Sequence, residues 1–125
     1  MLGYYTLGTN DLVSATAFYD ELLALFGARR ILELERGVFY GVQAMELGLR
    51  TPANDQEACV GNGGMVALQA TSRGQVDEAY ARALALGGTS EGEPGVGGPD
   101  TDGFYGAYFR DSEGNKLCVC CFGID

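Results

Sequence analysis

Apolar side chains recur at alternating steps of three and four residues near the start of the chain, at Leu12, Ala15, Tyr19, Leu22 and Phe26. This spacing places them on one face of a helix, so the pattern predicts an amphipathic helix packed against a core. Asn10 or Asp11 supplies a side-chain oxygen that suits the helix N-cap, and Gly27 marks its end.

Shorter apolar runs, bounded by glycine, proline and polar residues, flank this helix. Runs of this length without helical periodicity are typical of strands. One strand is predicted before the helix and three after it, at residues 3–9, 31–35, 38–43 and 45–50. The first half of the chain is therefore predicted to form a βαβββ unit.

The second half repeats this order. Residues 65–70 predict a strand, and Ser72 with Gln75 forms a Ser-x-x-Gln capping box that opens a helix. Adding 61 to the positions of Ala15, Tyr19, Leu22 and Phe26 gives a second stripe, at Val76, Tyr80, Ala83 and Gly87. We therefore expect an internal repeat, with units at about residues 1–60 and 61–125.

A glycine- and proline-rich stretch follows the second helix, from Gly92 to Gly103. Such a composition predicts a loop around a short edge strand, with Asp100 and Asp102 in the solvated part of the loop. Residues 104–110 and 116–122 are predicted strands, joined by the Asp-Ser-Glu-Gly-Asn turn at residues 111–115. The chain is thus expected to end in a hairpin.

The net charge of the chain limits the classes of binding partner that we expect. Seventeen acidic residues against eight basic ones give a net charge of −9, which repels phosphate backbones and anionic lipid surfaces. We therefore expect no nucleic-acid partner and no membrane partner. The acidity favours either plain solubility or attraction of cationic small molecules. No apolar run approaches the roughly 18 residues of a membrane span, and no secretory pattern opens the sequence, so a cytoplasmic protein is expected.

Motifs in both halves resemble one known superfamily. Asp11-Leu12 followed by Phe18-Tyr19, the segment Met65-Val66-Ala67-Leu68, and the closing Asp-Ser-Glu-Gly-Asn-Lys-Leu stand within the repeat. Together they resemble the glyoxalase, bleomycin resistance protein and extradiol dioxygenase superfamily, also called the vicinal oxygen chelate superfamily. The resemblance implies a single α+β domain over residues 1–125, built from two tandem βαβββ modules that form a curved mixed sheet around a cleft.

The resemblance also implies where a divalent metal would bind. By motif the four ligand positions correspond to Tyr4, Glu46, Met65 and Cys118. A phenol stays protonated near neutral pH, a thioether suits soft ions, and the chain contains no histidine. We therefore expect no metal and no other cofactor. Cys118 is expected to be a reduced, buried thiol, because no histidine is present to activate it.

Strand alternation extends these positions to a candidate ligand-binding set. Arg50 shares a strand face with Glu46, and Gln69 shares one with Met65; Tyr105 and Tyr108 are aromatic candidates for stacking. The predicted ligand-binding residues are Tyr4, Glu46, Arg50, Met65, Gln69, Tyr105, Tyr108 and Cys118. Each has a structural alternative: Glu46 and Arg50 can face each other or solvent, and the aromatic residues can belong to the core.

Three functions remain open at this point. The first is a metal-free protein that binds, and thereby sequesters, a cationic or aromatic small molecule. The second is a lyase or isomerase of the resembled superfamily, with Glu46 as general base. The third is a degenerate module whose role is to form a structural dimer. A homodimer is expected in all three cases, because pairing between chains buries sheet edges.

Overall fold

The computed structural model describes residues 1–97 and 103–123, which form two compact units, Met1–Gly61 and Asn62–Asp125. Each unit has the predicted βαβββ order. The elements are β1 (Tyr5–Gly8), α1 (Leu12–Ala24), β2 (Arg29–Leu34), β3 (Gly37–Gly41) and β4 (Leu47–Arg50), then β5 (Val66–Gln69), α2 (Arg73–Ala85), β6 (Thr89–Val96), β7 (Tyr105–Arg110) and β8 (Lys116–Cys121). The α+β class and the repeated module are thereby confirmed. Neither described helix is long and apolar enough to cross a membrane.

The first unit has a four-stranded sheet in the order β1-β4-β3-β2, with β1 parallel to β4 and the other pairs antiparallel. Helix α1 packs against one face of this sheet. Leu7, Val38 and Leu49 are buried beneath the helix and occupy matching positions in the register. Thr6, Phe39 and Gly48 point to the opposite face, which we call the helix-free face of the first unit.

The second unit repeats this topology in the order β5-β8-β7-β6, with β5 parallel to β8. Helix α2 packs on Ala107, Phe109, Leu117 and Val119, all completely buried. On β5, β7 and β8 the register places eight other residues on the helix-free face of the second unit: Ala67, Gln69, Gly106, Tyr108, Arg110, Lys116, Cys118 and Cys120. The apolar helix side and the mixed helix-free side follow from the two-residue period of a strand.

Both helices begin at caps that the sequence indicates. Asp11, rather than Asn10, is the N-cap of α1, and its side chain accepts a hydrogen bond from the Ser14 amide. Ser72 caps α2 by accepting from the amide of Gln75. Asn10 has another role: its side chain exchanges two hydrogen bonds with the backbone of Ala58 and holds the segment after β4.

The prediction for the glycine-rich stretch is wrong in part. Residues 89–96 form the eight-residue strand β6 at the edge of the second sheet, not a loop around a short strand. Register shifts around Gly92 accommodate the glycines and Pro94, because an edge strand tolerates missing donors and bulges. Asp100 and Asp102 lie outside the described residues.

A polar network ties α1 to the first sheet. The hydroxyl of Tyr40, which is 1% exposed, donates to Asp20 Oδ1 at 2.8 Å, and Arg30 binds both carboxylate oxygens of Asp20 at 2.7 and 2.9 Å. The hydrogen bonds from Arg30, then from Tyr40, hold the pKa of Asp20 below its ordinary value of 3.8. Burial and the bond to Asp20 raise the pKa of Tyr40. The network satisfies a buried hydroxyl and fixes the helix on the sheet.

Replacing Asp20 by Asn is expected to lower the free energy of unfolding by about 1 kcal/mol at pH 7, because the charged pairing is lost at a half-exposed site. Since folding lowers the pKa of Asp20, its stabilisation is present above the unfolded pKa of about 3.9 and disappears as the pH falls through the lower folded value. Urea unfolding between pH 2 and 7 should therefore show the two proteins converging below about pH 4.

The matched control is Asp77→Asn. Asp77 accepts a hydrogen bond from Tyr105 on the exposed side of α2, so its loss should change stability by less than about 0.5 kcal/mol. A stability difference between wild type and Asp20→Asn that stays constant down to pH 2 would contradict the assigned role of Asp20.

Candidate functional site

Strand register shows which residues of the two units are equivalent. In the first unit Tyr5 pairs with Leu47 and Thr6 with Gly48; 61 residues later, Val66 pairs with Leu117 and Ala67 with Cys118. Gly48 therefore holds, in the first unit, the position that Cys118 holds in the second. Glu46, which the motif comparison equated with Cys118, instead corresponds to Lys116. The motif assignment and the strand register therefore differ at this pair by two residues, one full strand period.

An aromatic ring fills the space above Gly48. A Cβ atom at this position would lie 2.5 Å from Phe39 Cε2, and Phe39 is only 8% exposed. Tyr4 packs edge-on against the same ring, with centroids 5.2 Å apart. Phe39 was absent from the predicted set, although its place opposite a glycine in a neighbouring strand is the signal that could have identified it. The helix-free face of the first unit is therefore aromatic at its centre.

The side chains of Glu46 and Arg50 both form hydrogen bonds with backbone groups. Glu46 lies just before β4, and its Oε2 accepts a hydrogen bond from the Val42 amide at 3.0 Å. Its own amide donates to the Tyr40 carbonyl, so Glu46 closes the turn between β3 and β4. The Nε of Arg50 donates to the Thr51 carbonyl at 2.7 Å. These contacts give both residues a structural role in addition to any contact with a ligand.

Cys118 is a buried, protonated thiol. It is 2% exposed, and burial together with the neighbouring Cys120 raises its pKa to about 12. Tyr108 pairs with Cys118 across the β7–β8 ladder and hydrogen-bonds to its sulfur. The raised pKa disfavours a thiolate nucleophile at neutral pH. Met65 and Gln69 are both exposed. Gln69 lies on the edge strand β5, and Met65 lies just before this strand.

The two predicted aromatic residues of the second unit lie on opposite faces. Tyr105 points to the helix side, where its hydroxyl donates to Asp77 Oδ1 at 2.7 Å and Arg73 stacks on its ring. Tyr108 lies on the helix-free face, with Lys116 Nζ 5.6 Å from its ring centroid. Three residues separate them, and an odd separation in a strand reverses the face. Tyr105 therefore leaves the candidate site, and Tyr108 stays in it.

Two phenylalanines take the place expected for a second aromatic group. The Phe104 ring covers Gly106 on the helix-free face and packs against Phe122, with centroids 5.2 Å apart. Phe122 is 59% exposed. The sequence pattern also suggested Phe104 as a stacking aromatic and Phe122 on the face of Cys118, although the predicted ligand-binding set contains neither. The two rings make one end of the helix-free face of the second unit apolar.

The residues at the implied metal positions do not fit a divalent ion. They offer a phenol at Tyr4, a thioether at Met65, a thiol of raised pKa at Cys118 and a single carboxylate at Glu46, which already accepts a backbone hydrogen bond; the register places Gly48, not Glu46, level with Cys118. Hard divalent ions prefer carboxylate, imidazole or water ligands. Within residues 1–97 and 103–123, no group of three or more cysteine, aspartate or glutamate side chains is arranged to hold a metal ion.

Comparison with known proteins gives a consistent family. The sequence model described as the Glyoxalase/Bleomycin resistance protein/Dioxygenase superfamily matches residues 1–119. The crystal structure of a glyoxalase/bleomycin resistance protein from Albidiferax ferrireducens T118 is 37% identical to this chain, with a TM-score of 0.87. That match covers 97% of this chain and 98% of the Albidiferax protein.

Two further solved structures are similar over most of their length. A lactoylglutathione lyase from Agrobacterium tumefaciens is 29% identical, with a TM-score of 0.66, over 94% of this chain and 91% of the lyase. A fosfomycin resistance protein from Listeria monocytogenes is 24% identical, with a TM-score of 0.69, over 97% of this chain and 92% of that protein, and shows the fold alone. No curated protein matches the sequence. With its repeated βαβββ module and a family match over residues 1–119, the chain belongs to the glyoxalase/bleomycin resistance protein/dioxygenase superfamily.

Proposed function

We propose that this chain is a small-molecule-binding member of the superfamily that works without a bound divalent metal. The observation that carries the proposal is the replacement of ligand chemistry by aromatic packing, with the Phe39 ring above Gly48 where a metal-binding side chain would project. Shape and a few polar contacts then supply the recognition. A homodimer is part of the same proposal.

The helix-free faces support a binding role. Small-molecule sites are mostly apolar and aromatic, with a few polar groups that fix orientation. Tyr4, which packs on the buried Phe39 ring, supplies aromatic surface in the first unit, and Tyr108, Phe104 and Phe122 supply it in the second. Among the predicted site residues, Arg50, Gln69 and Glu46 are polar contacts on or beside these faces.

A lyase or isomerase with Glu46 as general base has weaker support. The Glu46 carboxylate already accepts a backbone hydrogen bond, and its equivalent in the second unit is Lys116. Proton abstraction next to a carbonyl also needs stabilisation of the developing oxyanion, which a Lewis-acidic metal provides at several kcal/mol. The donor set at positions 4, 46, 65 and 118, with one carboxylate, offers such an ion a poor site.

Thermal unfolding in the presence of a mixed ligand panel tests the proposal. The panel combines aromatic carboxylates, amides and amines with cationic glycopeptides, each with and without EDTA. A ligand present at a hundred times its Kd stabilises the folded state by about 2.7 kcal/mol, which raises the Tm by roughly 10 °C in a domain of this size. We expect at least one such shift, unchanged by EDTA.

Two outcomes would contradict the proposal. One is a flat response to every class in the panel. The other is a ligand-induced shift that EDTA abolishes and that zinc, nickel, iron or manganese restores. Protein prepared without an affinity tag keeps the second comparison free of added histidines.

A further inference from the structure

The helix-free face of the second unit has a charge opposite to that of the whole chain. The chain carries a net charge of −9, yet the eight residues of β5, β7 and β8 that the register places on this face include Arg110 and Lys116 and no acidic residue; the edge strand β6 brings one carboxylate, Glu91, to Arg110. Lys116 is the only lysine in the sequence. A local cationic site within an acidic protein selects for an anionic group at that point, because the Coulomb interaction is strongest at contact and is screened beyond about 10 Å.

The two cations differ in how they are engaged. Arg110 donates to the Gly114 carbonyl at 2.8 Å, and its Nε lies 3.6 Å from Glu91 Oε2. Lys116 forms no ion pair with any described residue; its ammonium lies over the Tyr108 ring, 5.6 Å from the centroid. The ring positions the ammonium but leaves its three N–H donors free to meet an acceptor.

The buried acidic side chain of the β7–β8 turn is engaged within the turn. Asp111 is 6% exposed, and its Oδ1 accepts hydrogen bonds from the amides of Glu113 and Asn115, both at 2.9 Å. Its Oδ2 accepts from the Asn115 side chain at 3.0 Å. These contacts build the β7–β8 turn. Asp111 therefore serves the turn and does not neutralise Lys116.

Polarity changes along this face from one end of the strands to the other. Arg110 and Lys116 stand side by side at the turn end, and Tyr108 and Cys118 follow in the next matching position. Cys120 comes next, where Phe104 covers Gly106 and packs on Phe122. Lys116 and Cys120 are four residues apart, roughly 13 Å along a strand. That distance accommodates an aromatic ring with a short acidic substituent.

We propose that the helix-free face of the second unit binds an aromatic carboxylate, with Lys116 as the partner of the carboxylate and the Phe104–Phe122 end as the surface for the ring. This inference rests on the proposed function and names the ligand class. It replaces the cationic ligand that the net charge favours with an anionic one, because a bound ligand contacts the local charges first.

The test uses three ligands that share one ring. 1-Naphthoate carries a carboxylate, 1-naphthamide carries a neutral amide of similar shape, and 1-naphthylmethylamine carries a cation. Isothermal titration calorimetry measures their Kd values with the wild-type chain. We expect the carboxylate to bind about tenfold more tightly than the amide, as a charge-assisted hydrogen bond allows, and the amine to bind most weakly.

Lys116→Gln removes the charge and keeps an uncharged polar side chain, so it should equalise the carboxylate and the amide. Arg29→Gln is the matched control: it makes the same change in net charge at an exposed position in the first unit and should preserve the tenfold preference. Reductive 13C-methylation keeps the charge of Lys116 and gives a single lysine resonance, which should shift with 1-naphthoate and not with the amide.

The outcomes separate this inference from the proposed function. Equal or tighter binding of the amide or the amine overturns the inference, as does a carboxylate preference that survives Lys116→Gln. Failure of all three naphthalenes to bind at about 1 mM overturns it as well. In each case the proposed function stands if any other member of the mixed panel raises the Tm by an amount that EDTA leaves unchanged, and falls if none does.

Discussion

Gly41→Ala is expected to destabilise the first unit by about 3 kcal/mol or more. A Cβ atom at this position would overlap the carbonyl oxygen of Ala44 and lie 2.8 Å from its carbonyl carbon. Both atoms are backbone, so no side-chain rotation relieves the overlap. The turn between β3 and β4 would have to open, and the hydrogen bond from the Glu46 amide to the Tyr40 carbonyl, 2.8 Å long, would be strained or lost.

Gly64→Ala is the matched control for this substitution. No atom lies within 4 Å of the Cβ that it would add. Its effect should stay within about 0.5 kcal/mol, and alanine also restricts the unfolded chain. Urea unfolding of the two variants measures the difference. Equal stabilities would show that the turn adapts to a side chain at position 41, and the position of Glu46 would then not depend on Gly41.

Most of the fold could be predicted from the sequence because two patterns are enough to locate its elements: helical periodicity with capping residues, and the internal repeat. Helical periodicity and capping residues located both helices, and the offset of 61 residues exposed the repeat. Strand β6 could not be predicted in the same way, since its glycines and Pro94 have low strand propensity. Pairing with β7 makes it a strand, and that pairing is a tertiary interaction.

For the candidate site, the sequence could predict the strand and in most cases the sheet face of a residue, but not the register between strands. Alternation correctly grouped Cys118 with Cys120 and opposed them to Val119, but Tyr105 and Tyr108 were both kept as stacking candidates although they lie on opposite faces. The motif also aligned Glu46 with Cys118, because a shift of two residues keeps the face and changes only the register. Register depends on which residues pair across strands, and a single sequence does not contain that information.

Net charge was a poor guide to the ligand for a related physical reason. A sum over the chain controls long-range attraction and solubility, whereas a bound molecule meets the few charges at its own contact surface. The helices and loops carry most of the carboxylates, and the register leaves Arg110 and Lys116 together on one sheet face. For the choice of ligand, the position of the charges therefore matters more than the net charge.

Phe39→Ala is expected to lower the free energy of unfolding by about 3 to 5 kcal/mol, because the ring is 8% exposed and packs on both Gly48 and Tyr4. Gly48→Ala alone should cost about 1 to 3 kcal/mol, since its Cβ would lie 2.5 Å from Phe39 Cε2. The double variant removes that clash and fills part of the cavity. We therefore expect it to be more stable than the sum of the single effects predicts, by roughly 1 to 3 kcal/mol.

The coupling decides whether Phe39 has taken the space of a side chain at position 48. Leu22→Ala, combined with Gly48→Ala, provides the control cycle: Leu22 is completely buried on α1, at the other face of the same sheet, so these two effects should add within about 0.5 kcal/mol. Additivity in the Phe39–Gly48 cycle would mean that the ring can turn aside at little cost. A side chain at position 48 would then have room to reach a metal ion. The packing of Phe39 would no longer support the metal-free proposal.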